Sequence, residues 1–473
     1  MPPTPPDPAA VAEVAAAAAP YLESWLELQR RRGRVPGVQA AVRVGDRLVL
    51  STALGVADVT SGEPLTTGHL FRIASHSKTF TAVAVLQLVE AGRMRLDDPI
   101  ARWVPEVPAP LAAVTVRELL GHQGGVVRDG RDNDHWQLLH AFPDADELLE
   151  LAGDGGAVFG RNEHFKYSNI GYSLLGLAIE AVTGTGYGAH VQVAVVDRLG
   201  LSDTGPELDP ARAGEYAAGH TGLLDGEDAR LTIPHVDTRA MAAATGFHST
   251  AEDLTRFGAA HVRGDERLLT EGSKRLMQRA ESEISAHGEE VRRYGLGLDL
   301  LRLRERQLVG HSGGYPGHIT RTWVDPVGQV VVSVLTNAID GPADVLARGL
   351  LALLDLALDA PSPAADPAGE LARYTGRFAN LWGVLDVVEL GGRLVLLHPA
   401  SPAPTEGYVE LTVERPDVLR QEAVAGFGSA GETVEYDRAA DGRVTAVRFG
   451  GITAWPVEEF RARRAGQVAA PGA

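Results

Sequence analysis

Residues 71–100, FRIASHSKTFTAVAVLQLVEAGRMRLDDPI, carry the pattern that decides both the fold and the chemistry. Apolar side chains recur at close to helical spacing, which predicts a helix over residues 76–91. Ser75 lies at the start of this helix and Lys78 follows three residues later. Side chains at this spacing share one helical face, so the serine hydroxyl and the lysine amine are within reach of each other.

The Ser75–Lys78 pair is a candidate nucleophile and base. A serine hydroxyl is a poor nucleophile until a neighbouring group takes its proton. A lysine can do this when burial or nearby cations lower its pKa and leave it neutral. Only three of the 44 basic residues are lysines, which gives the position of Lys78 more weight. The alternative is a capping serine beside a solvated lysine.

A second candidate is the tripeptide Tyr167-Ser168-Asn169. A tyrosine hydroxyl can relay protons, and a side-chain amide can hold a substrate carbonyl. Lys166 precedes the tyrosine, and we expect its charge to lower the pKa of Tyr167. The alternative is a loop tyrosine in front of a core helix.

A third candidate is the segment 310–314, Gly-His-Ser-Gly-Gly, which precedes a β-rich stretch. Gly313 and Gly314 would let a substrate approach the strand backbone closely. A backbone N–H of this strand could supply half of an oxyanion hole, and His311 could titrate near neutral pH. The alternative is a glycine-rich turn with an incidental histidine.

The elements around these motifs predict a mixed α/β chain. Two strands between residues 38 and 60 flank Gly45-Asp46, and a second hairpin spans 320–335. The pattern Ser249-x-x-Glu252 predicts a capping box that opens a helix. Three further helices are predicted, at 115–121, 171–182 and 342–358. Residues 126–166 are polar and weakly periodic, typical of an irregular region beside a site or of a solvated insertion.

The composition changes near residue 360. The stretch 360–370, APSPAADPAGE, predicts a linker, and short strands separated by turns follow it. We therefore predict a first domain over 1–359, a linker over 360–369 and a small antiparallel β domain, a barrel or a sandwich, over 370–473.

Composition excludes several classes of function. The 473 residues carry a formal net charge of −18, which argues against sequence-independent nucleic-acid binding and against docking on an anionic membrane. Cysteine is absent, which excludes disulfides, thiol nucleophiles and thiolate metal sites. The N-terminus lacks the features of a good secretory signal, and we see no apolar run of about 20 residues, the length of a transmembrane helix. We expect a soluble, cytoplasmic protein.

Taken in order, Ser75-x-x-Lys78, Tyr167-x-Asn169 and His311-x-Gly313 resemble the three motifs of the penicillin-recognising serine hydrolases, the class C β-lactamase, DD-peptidase and esterase relatives. The resemblance covers roughly residues 35–355 and includes the sequence around each motif. It implies an α/β (α+β) fold, in which an antiparallel sheet flanked by helices lies beside a helical subdomain. The β domain resembles the lipocalin-like appendage, a small antiparallel barrel, found on many of these hydrolases.

The resemblance also implies roles for the motif residues. Ser75 would be the acylated nucleophile, Lys78 its general base, and Tyr167 a helper in proton transfer to the leaving group. Asn169 would bind a substrate amide, and the N–H groups of Ser75 and Gly314 would form the oxyanion hole. No metal and no organic cofactor is needed. The expected partner is a small-molecule or short-peptide substrate, with oligomeric state open.

His311 departs from the family pattern. The third motif often begins with a lysine that helps to bind the carboxylate of a penicillin or of a D-Ala-D-Ala terminus. Histidine there resembles the D-aminopeptidases, related D-peptide hydrolases, cyclising thioesterases and some esterases, and it argues against true β-lactamase activity. We expect hydrolysis of an ester or amide, in D-residue peptides or small esters. Acyl transfer that cyclises or releases a peptide, from a substrate held on an acyl carrier, is the alternative.

Two other interpretations compete with that of a penicillin-recognising serine hydrolase. Residues 310–314 also satisfy G-x-S-x-G, the nucleophile elbow of α/β-hydrolases, with Ser312 as nucleophile. An elbow must be followed by a helix, whereas Tyr315-Pro316-Gly317 and a β-type run come next. The second interpretation is a non-catalytic binding or assembly module on the same fold as these hydrolases.

Overall fold

The computed structural model describes residues 7–286, 289–359, 370–422 and 429–469. The predicted linker at 360–369 lies outside the described residues. Contacts divide the chain into two compact units. The first unit comprises Met1–Ala9 and Gly33–Ala347, and the second comprises Ala10–Arg32 and Arg348–Ala473.

The first unit is built on an eight-stranded antiparallel sheet, in the order β2-β1-β12-β11-β10-β9-β8-β7. The remaining four strands form two short two-stranded ribbons. The strands of this unit are β1 (Gly37–Val44), β2 (Arg47–Gly55), β3 (Phe71–Arg72), β4 (Gly219–His220), β5 (Thr232–Ile233), β6 (His248–Ser249), β7 (Ser282–Ala286), β8 (Glu289–Tyr294), β9 (Asp299–Leu303), β10 (Arg306–Tyr315), β11 (His318–Asp325) and β12 (Val330–Thr336).

Both predicted hairpins of this unit are present. The β1–β2 hairpin turns at Gly45-Asp46, and β11 joins β12 through residues 326–329. Strands β1, β11 and β12 are buried along nearly their whole length, which explains the predominantly apolar sequences of β1 and β12. Strand β9 pairs with β10 only as far as Gly310, so within the described part of the chain no strand pairs with the rest of β10 on that side.

In the first unit, helices flank the sheet and form a cluster beside it. The α-helices of this unit are α2 (Ser77–Glu90), α3 (Val116–Leu120), α4 (Ala145–Gly155), α5 (Asn169–Thr183), α6 (Tyr187–Val191), α7 (Ala242–Thr245), α8 (Ala251–Ala259) and α9 (Glu271–Met277). Helices α1 (Pro8–Arg32) and α11 (Val457–Ala469) are assigned to the second unit apart from the first two residues of α1, and α10 (Ala343–Leu358) crosses the boundary between the units after Ala347. Helix α8 packs on β1, β11 and β12, whereas α2, α5 and α7 pack on one another. The predicted helices at 76–91, 115–121, 171–182 and 342–358 correspond to α2, α3, α5 and α10.

One predicted cap is displaced by a residue. Helix α8 is capped by Thr250, whose hydroxyl accepts a hydrogen bond from the N–H of Asp253. The predicted Ser249–Glu252 capping box is therefore wrong. Glu252 instead accepts a hydrogen bond of 2.5 Å from the hydroxyl of Ser51, which links α8 to β2.

The second unit contains a closed antiparallel barrel, which confirms the predicted barrel architecture. Its strands are β13 (Gly376–Asn380), β14 (Gly383–Leu390), β15 (Arg393–Leu397), β16 (Val409–Arg415), β17 (Val418–Gln421), β18 (Thr433–Arg438), β19 (Val444–Phe449) and β20 (Ile452–Pro456). Inward-facing side chains such as Phe378, Leu419 and Val447 fill its core. Among the described residues, no helix has the length and apolar character needed to cross a membrane.

Candidate active site

Ser75 lies on a strained turn that leads into α2. The turn spans Ala74–His76, and Ala74 has a φ of 45°, a left-handed conformation that is costly for a residue with a side chain. Ser77 holds the turn in place, because its hydroxyl donates to the carbonyl of Ala74 at 2.5 Å and accepts from the N–H of Phe247 at 3.0 Å. Ser77 thus fixes the backbone that presents Ser75.

Lys78 is completely buried and its amine faces three oxygen atoms. Its Nζ lies 3.1 Å from Ser75 Oγ, 2.7 Å from Asn169 Oδ1 and 2.9 Å from the carbonyl oxygen of Ala244. Burial lowers the pKa of Lys78 well below its usual value. In the neutral amine, the Asn169 and Ala244 oxygens can take the two N–H groups, which leaves the lone pair for the hydroxyl proton of Ser75.

Tyr167 approaches the same hydroxyl from the other side. Its OH donates to Ser75 Oγ at 2.8 Å, and Lys78 Nζ lies 4.8 Å from the centre of its ring. Burial raises the pKa of Tyr167 above its usual value, so the phenol keeps its proton at neutral pH. The expectation that Lys166 lowers this pKa is wrong, since burial dominates and the cation whose charge opposes it is Arg128.

Asn169 begins helix α5 and is also buried. Its Oδ1 faces Lys78, and its Nδ2 donates to Asp129 Oδ1 at 2.6 Å. The indole N–H of Trp136 donates to the same carboxylate oxygen at 3.1 Å. Asp129 thereby fixes which end of the Asn169 amide faces the amine of Lys78. Sequence reasoning expected a substrate amide as the partner of Asn169, and it missed both Asp129 and Trp136.

His311 lies in β10 with both ring nitrogens engaged. Its Nδ1 lies 2.6 Å from the carbonyl oxygen of Ser312, so it carries the proton, and its Nε2 accepts from the hydroxyl of Tyr294 at 2.9 Å. Burial is the main reason why the pKa of His311 falls well below its usual value, and the charge of Lys78 adds to the effect. His311 is therefore a neutral residue at pH 7. The expectation that it titrates near neutral pH is wrong.

The two glycines of the third motif have different surroundings. A Cβ on Gly313 would lie 2.0 Å from the carbonyl oxygen of Ile73, which immediately precedes the nucleophile turn. Gly314 is exposed, and a Cβ there would meet only Ile319 at 3.6 Å. Gly313 therefore permits the close packing of β10 on the nucleophile turn, whereas Gly314 borders open space.

Ser312 does not occupy a nucleophile elbow. It lies in the middle of β10 and pairs with Arg321 of β11. The chain continues into the β10–β11 hairpin and not into a helix. The structure thus excludes the α/β-hydrolase arrangement that the G-x-S-x-G pattern would require.

Two buried histidines support the site. The ring of His76 lies between β11 and the nucleophile turn, with Nε2 3.0 Å from the hydroxyl of Thr322 and Nδ1 3.1 Å from that of Thr320. His122 accepts a hydrogen bond from the N–H of Ser168 at 3.2 Å, and its ring lies 4.4 Å from that of Tyr167. Burial lowers the pKa of both, that of His76 to about 3. They act as neutral packing groups.

The structure brings together Ser75, Lys78, Tyr167 and Asn169, and β10 packs at Gly313 against Ile73, the residue before the nucleophile turn. The start of the polar segment 126–166 contributes Arg128 and Asp129 to the site, so this segment is more than a solvated insertion. Within the described part of the chain, no cluster of three or more His, Asp or Glu side chains is suited to a metal ion.

Residues 14–357 match the protein-family model described as Beta-lactamase. The chain is 30% identical to penicillin-binding protein 4* of Bacillus subtilis (strain 168) over 312 residues, which are 63% of this chain and 67% of that protein. It is 29% identical to esterase EstB of Burkholderia gladioli over 389 residues, which are 72% of this chain and 97% of that protein.

A solved structure adds an amidase to these relatives. D-amino acid amidase from Ochrobactrum anthropi SV3 is similar with a TM-score of 0.58 and 28% sequence identity, over 72% of this chain and 100% of that one. The names of the three similar proteins thus refer to penicillin binding, ester cleavage and amide cleavage.

Proposed function

The chain belongs to the beta-lactamase family, and we propose that this serine hydrolase cleaves small amides and esters whose acyl group is a D-amino acid. Similarity to an esterase and to a D-amino acid amidase supports both bond types and the D configuration. A neutral His311 supports the same choice, because it offers no cation for the carboxylate of a penicillin. True β-lactamase activity is accordingly not part of the proposal.

One observation carries the proposal: Ser75 Oγ lies between the buried amine of Lys78 and the hydroxyl of Tyr167. The tyrosine hydroxyl is a donor to Oγ, so the serine proton is directed to the lysine. A base whose pKa is lowered by burial is partly neutral near the working pH and can accept that proton. This arrangement is the one that an activated serine nucleophile needs.

The proposed acylation step uses these three groups in turn. Ser75 Oγ attacks the carbonyl carbon of the substrate while its proton passes to Nζ of Lys78, and a tetrahedral oxyanion forms. The bond to the leaving amine or alcohol then breaks. The leaving group takes the proton of the Tyr167 hydroxyl, which is replaced by the proton that Lys78 had accepted. Water then attacks the acyl-enzyme by the reverse sequence and releases the acid.

The backbone supports an oxyanion hole formed by the N–H groups of Ser75 and Gly314. Residues two apart in a strand direct their peptide groups to the same side. The carbonyl of Ser312 accepts a hydrogen bond from its own neighbour His311, and β9 does not reach this part of β10. The N–H of Gly314 is then expected on the same open side, available to a substrate oxygen.

Labelling with a fluorophosphonate probe tests the nucleophile. Intact mass and peptide mapping should find one adduct, on Ser75, that disappears in Ser75→Ala and persists in the matched control Ser312→Ala. An adduct on Ser312, or one that survives Ser75→Ala, would contradict the proposal.

Paired enantiomers test the substrate class. D-Phenylalaninamide should be hydrolysed with a higher kcat/KM than L-phenylalaninamide, and D-phenylalanine methyl ester faster than its L form. Equal rates for both enantiomers would overturn the assignment of a D-amino acid acyl group. Product masses in the presence of an added amine distinguish hydrolysis from acyl transfer.

A further inference from the structure

The polar segment 126–166 encloses a cavity of about 340 Å³ between helix α4 and the chain that precedes it. The ionisable side chains that line this cavity are four carboxylates and two histidines: Asp132, Glu147, Glu150, Asp154, His135 and His140. Leu151 and Pro143 add apolar surface. Among the described residues, no lysine and no arginine lines it. The cavity is therefore negatively charged and has a partly apolar wall.

Helix α4 contributes its carboxylates from one face. Glu147, Glu150 and Asp154 stand at positions i, i+3 and i+7, so they form a stripe about 10 Å long. Like charges at this spacing repel one another. Asp154 also lies in the last turn of α4, where the helix dipole disfavours an anion and where no basic residue stands. A cation bound in the cavity would relieve this repulsion.

The protein compensates these carboxylates only in part. Three of the four face a protein cation, in the pairs His140–Asp132 at 3.1 Å, Arg239–Glu147 at 3.5 Å and Arg131–Asp154 at 3.7 Å. These pairs are exposed, so each contributes little. Glu150 makes no ion pair or hydrogen bond with any residue that the structure describes. One full negative charge is therefore left for a ligand.

His135 adds an unpartnered polar group to the same cavity. Its side chain is completely buried, and within the described ranges neither ring nitrogen has a hydrogen-bond partner. Burial lowers the pKa of His135 below its usual value, so the neutral ring carries one nitrogen that can accept a hydrogen bond. Buried polar groups are almost always paired, and an N–H group of a ligand would satisfy this acceptor.

We propose that this cavity binds a short aliphatic diamine. One ammonium group donates to the free nitrogen of His135 and contacts Asp132, the other pairs with Glu150, and the methylene chain packs on Leu151. A metal ion fits less well, because in the described part of the chain no three side chains are placed to ligate one. The formal net charge of −18 also attracts a doubly charged cation.

The cavity adjoins the support of the catalytic amide. Trp136 follows His135 in the chain, and its indole N–H donates to Asp129 at 3.1 Å. Asp129 in turn orients Asn169. Binding itself requires no acyl-enzyme, so the inference stands or falls independently of the proposed function.

Calorimetric titration of the full-length protein at low ionic strength tests the site, with 1,5-diaminopentane as the probe. Pentylamine and 1,5-pentanediol, which carry one charge and none, are the comparison ligands. The variants are Glu150→Gln and His135→Phe. The matched control is Asp146→Asn, which removes a carboxylate from the same helix but from a position that does not line the cavity.

The wild type should bind 1,5-diaminopentane with a Kd below about 1 mM, pentylamine more weakly and the diol not at all. Glu150→Gln should weaken diamine binding about two- to fivefold, as expected for an exposed ion pair. His135→Phe should weaken it about tenfold, the effect of a lost hydrogen bond to a charged group. Asp146→Asn should leave it unchanged.

Two results would overturn the inference: no binding by the wild type up to about 10 mM diamine, or equal losses in Glu150→Gln and Asp146→Asn. Equal affinities for pentylamine and the diamine would overturn the assignment of two ammonium groups. If His135→Phe does not fold, Glu150→Gln decides the question, because its exposed side chain can be replaced without disturbing the core.

Discussion

Asp129 and Asn169 are joined by a hydrogen bond of 2.6 Å that determines how the amide of Asn169 faces Lys78. A carboxylate accepts only, so the nitrogen of the amide must face Asp129 and the oxygen must face the lysine. The orientation of the amide that contacts the base Lys78 therefore depends on a residue from the irregular segment 126–166. Asp129 acts through Asn169, which makes it a positioning residue.

Asp129→Asn should lower kcat/KM by about tenfold or more, since an asparagine can present either its oxygen or its nitrogen to Asn169 and no longer fixes the orientation of that amide. Removal of the negative charge should also lower the pKa of Lys78 further, because Asp129 opposes the effect of burial on that amine. The acidic limb of the pH profile should move to lower pH. The measurement is kcat/KM against pH.

The control for this variant is Asp132→Asn, which removes a carboxylate from the same segment but from an exposed position next to His140. Asp132→Asn should change neither kcat/KM nor the pH at which the acidic limb falls. A lower rate for Asp129→Asn with an unmoved limb would mean that Asp129 has a merely structural role.

The pKa of Lys78 should set the acidic limb of the pH profile of kcat/KM in the wild-type protein. Its pKa is lowered by burial, and the neutral amine is the form that accepts the serine proton. As pH rises through this pKa the neutral fraction grows, so the rate of acylation should increase with pH. Lys78→Arg substitutes a group that stays protonated, and should slow labelling by a fluorophosphonate by roughly 10²–10⁴-fold. Labelling at the wild-type rate would rule out Lys78 as the base.

Tyr167→Phe should separate substrates by their leaving groups. An amine must be protonated to leave, whereas p-nitrophenolate leaves without a proton. Loss of the Tyr167 hydroxyl, 2.8 Å from Ser75 Oγ, should therefore slow hydrolysis of a D-amino acid amide by about 10²-fold or more and slow acylation by a p-nitrophenyl ester much less. Kinetics with both substrates provide the check. An equal loss on both would indicate that Tyr167 orients Ser75 and does not protonate the leaving group.

The sequence predicts those parts of the site that depend on local geometry. Ser75 and Lys78 meet because they are three residues apart where the Ala74–His76 turn leads into α2, and α2 begins within one residue of its predicted start. Gly45-Asp46 likewise marks the turn between β1 and β2. Both features are set by residues close together in the chain.

Burial and long-range pairing could not be predicted in this way. Asp129 lies 40 residues before Asn169, in a segment without periodicity, and no local pattern connects them. The neutrality of His311 follows mainly from its burial in the folded protein, which lowers its pKa. Helix α4 could have been found, because Asp144 and Glu147 form a capping box that is visible in the sequence.

His76 should make the protein less stable in acid. Its pKa in the folded state falls to about 3 because the ring is buried, whereas an unfolded histidine titrates near its usual value of 6.5. Between these values the unfolded state binds a proton that the folded state does not, so the free energy of unfolding falls as pH falls, by about 1.4 kcal/mol for each pH unit.

His76→Gln should therefore make the dependence of stability on pH shallower between pH 6.5 and pH 4, as measured by urea unfolding. His140 is the control, because it is exposed and its pKa is raised by hydrogen bonds to Ala141 and Asp132. His140→Gln should leave the slope in this pH range unchanged, because a histidine with a raised pKa differs in protonation between the folded and unfolded states only above about pH 6.5. An unchanged slope in His76→Gln would show that the ring is protonated in the folded state.

Gly313→Ala and Gly314→Ala should differ although they are neighbours. The methyl group on Gly313 would lie 2.0 Å from the carbonyl oxygen of Ile73, so β10 must move away from the nucleophile turn, at a cost of about 1–3 kcal/mol. We expect a lower Tm and slower labelling of Ser75. The methyl group on Gly314 meets only Ile319 at 3.6 Å, so its Tm should stay that of the wild type. Equal melting temperatures for the two variants would contradict the packing of Gly313 on Ile73 and, with it, the reason why a glycine stands in the third motif.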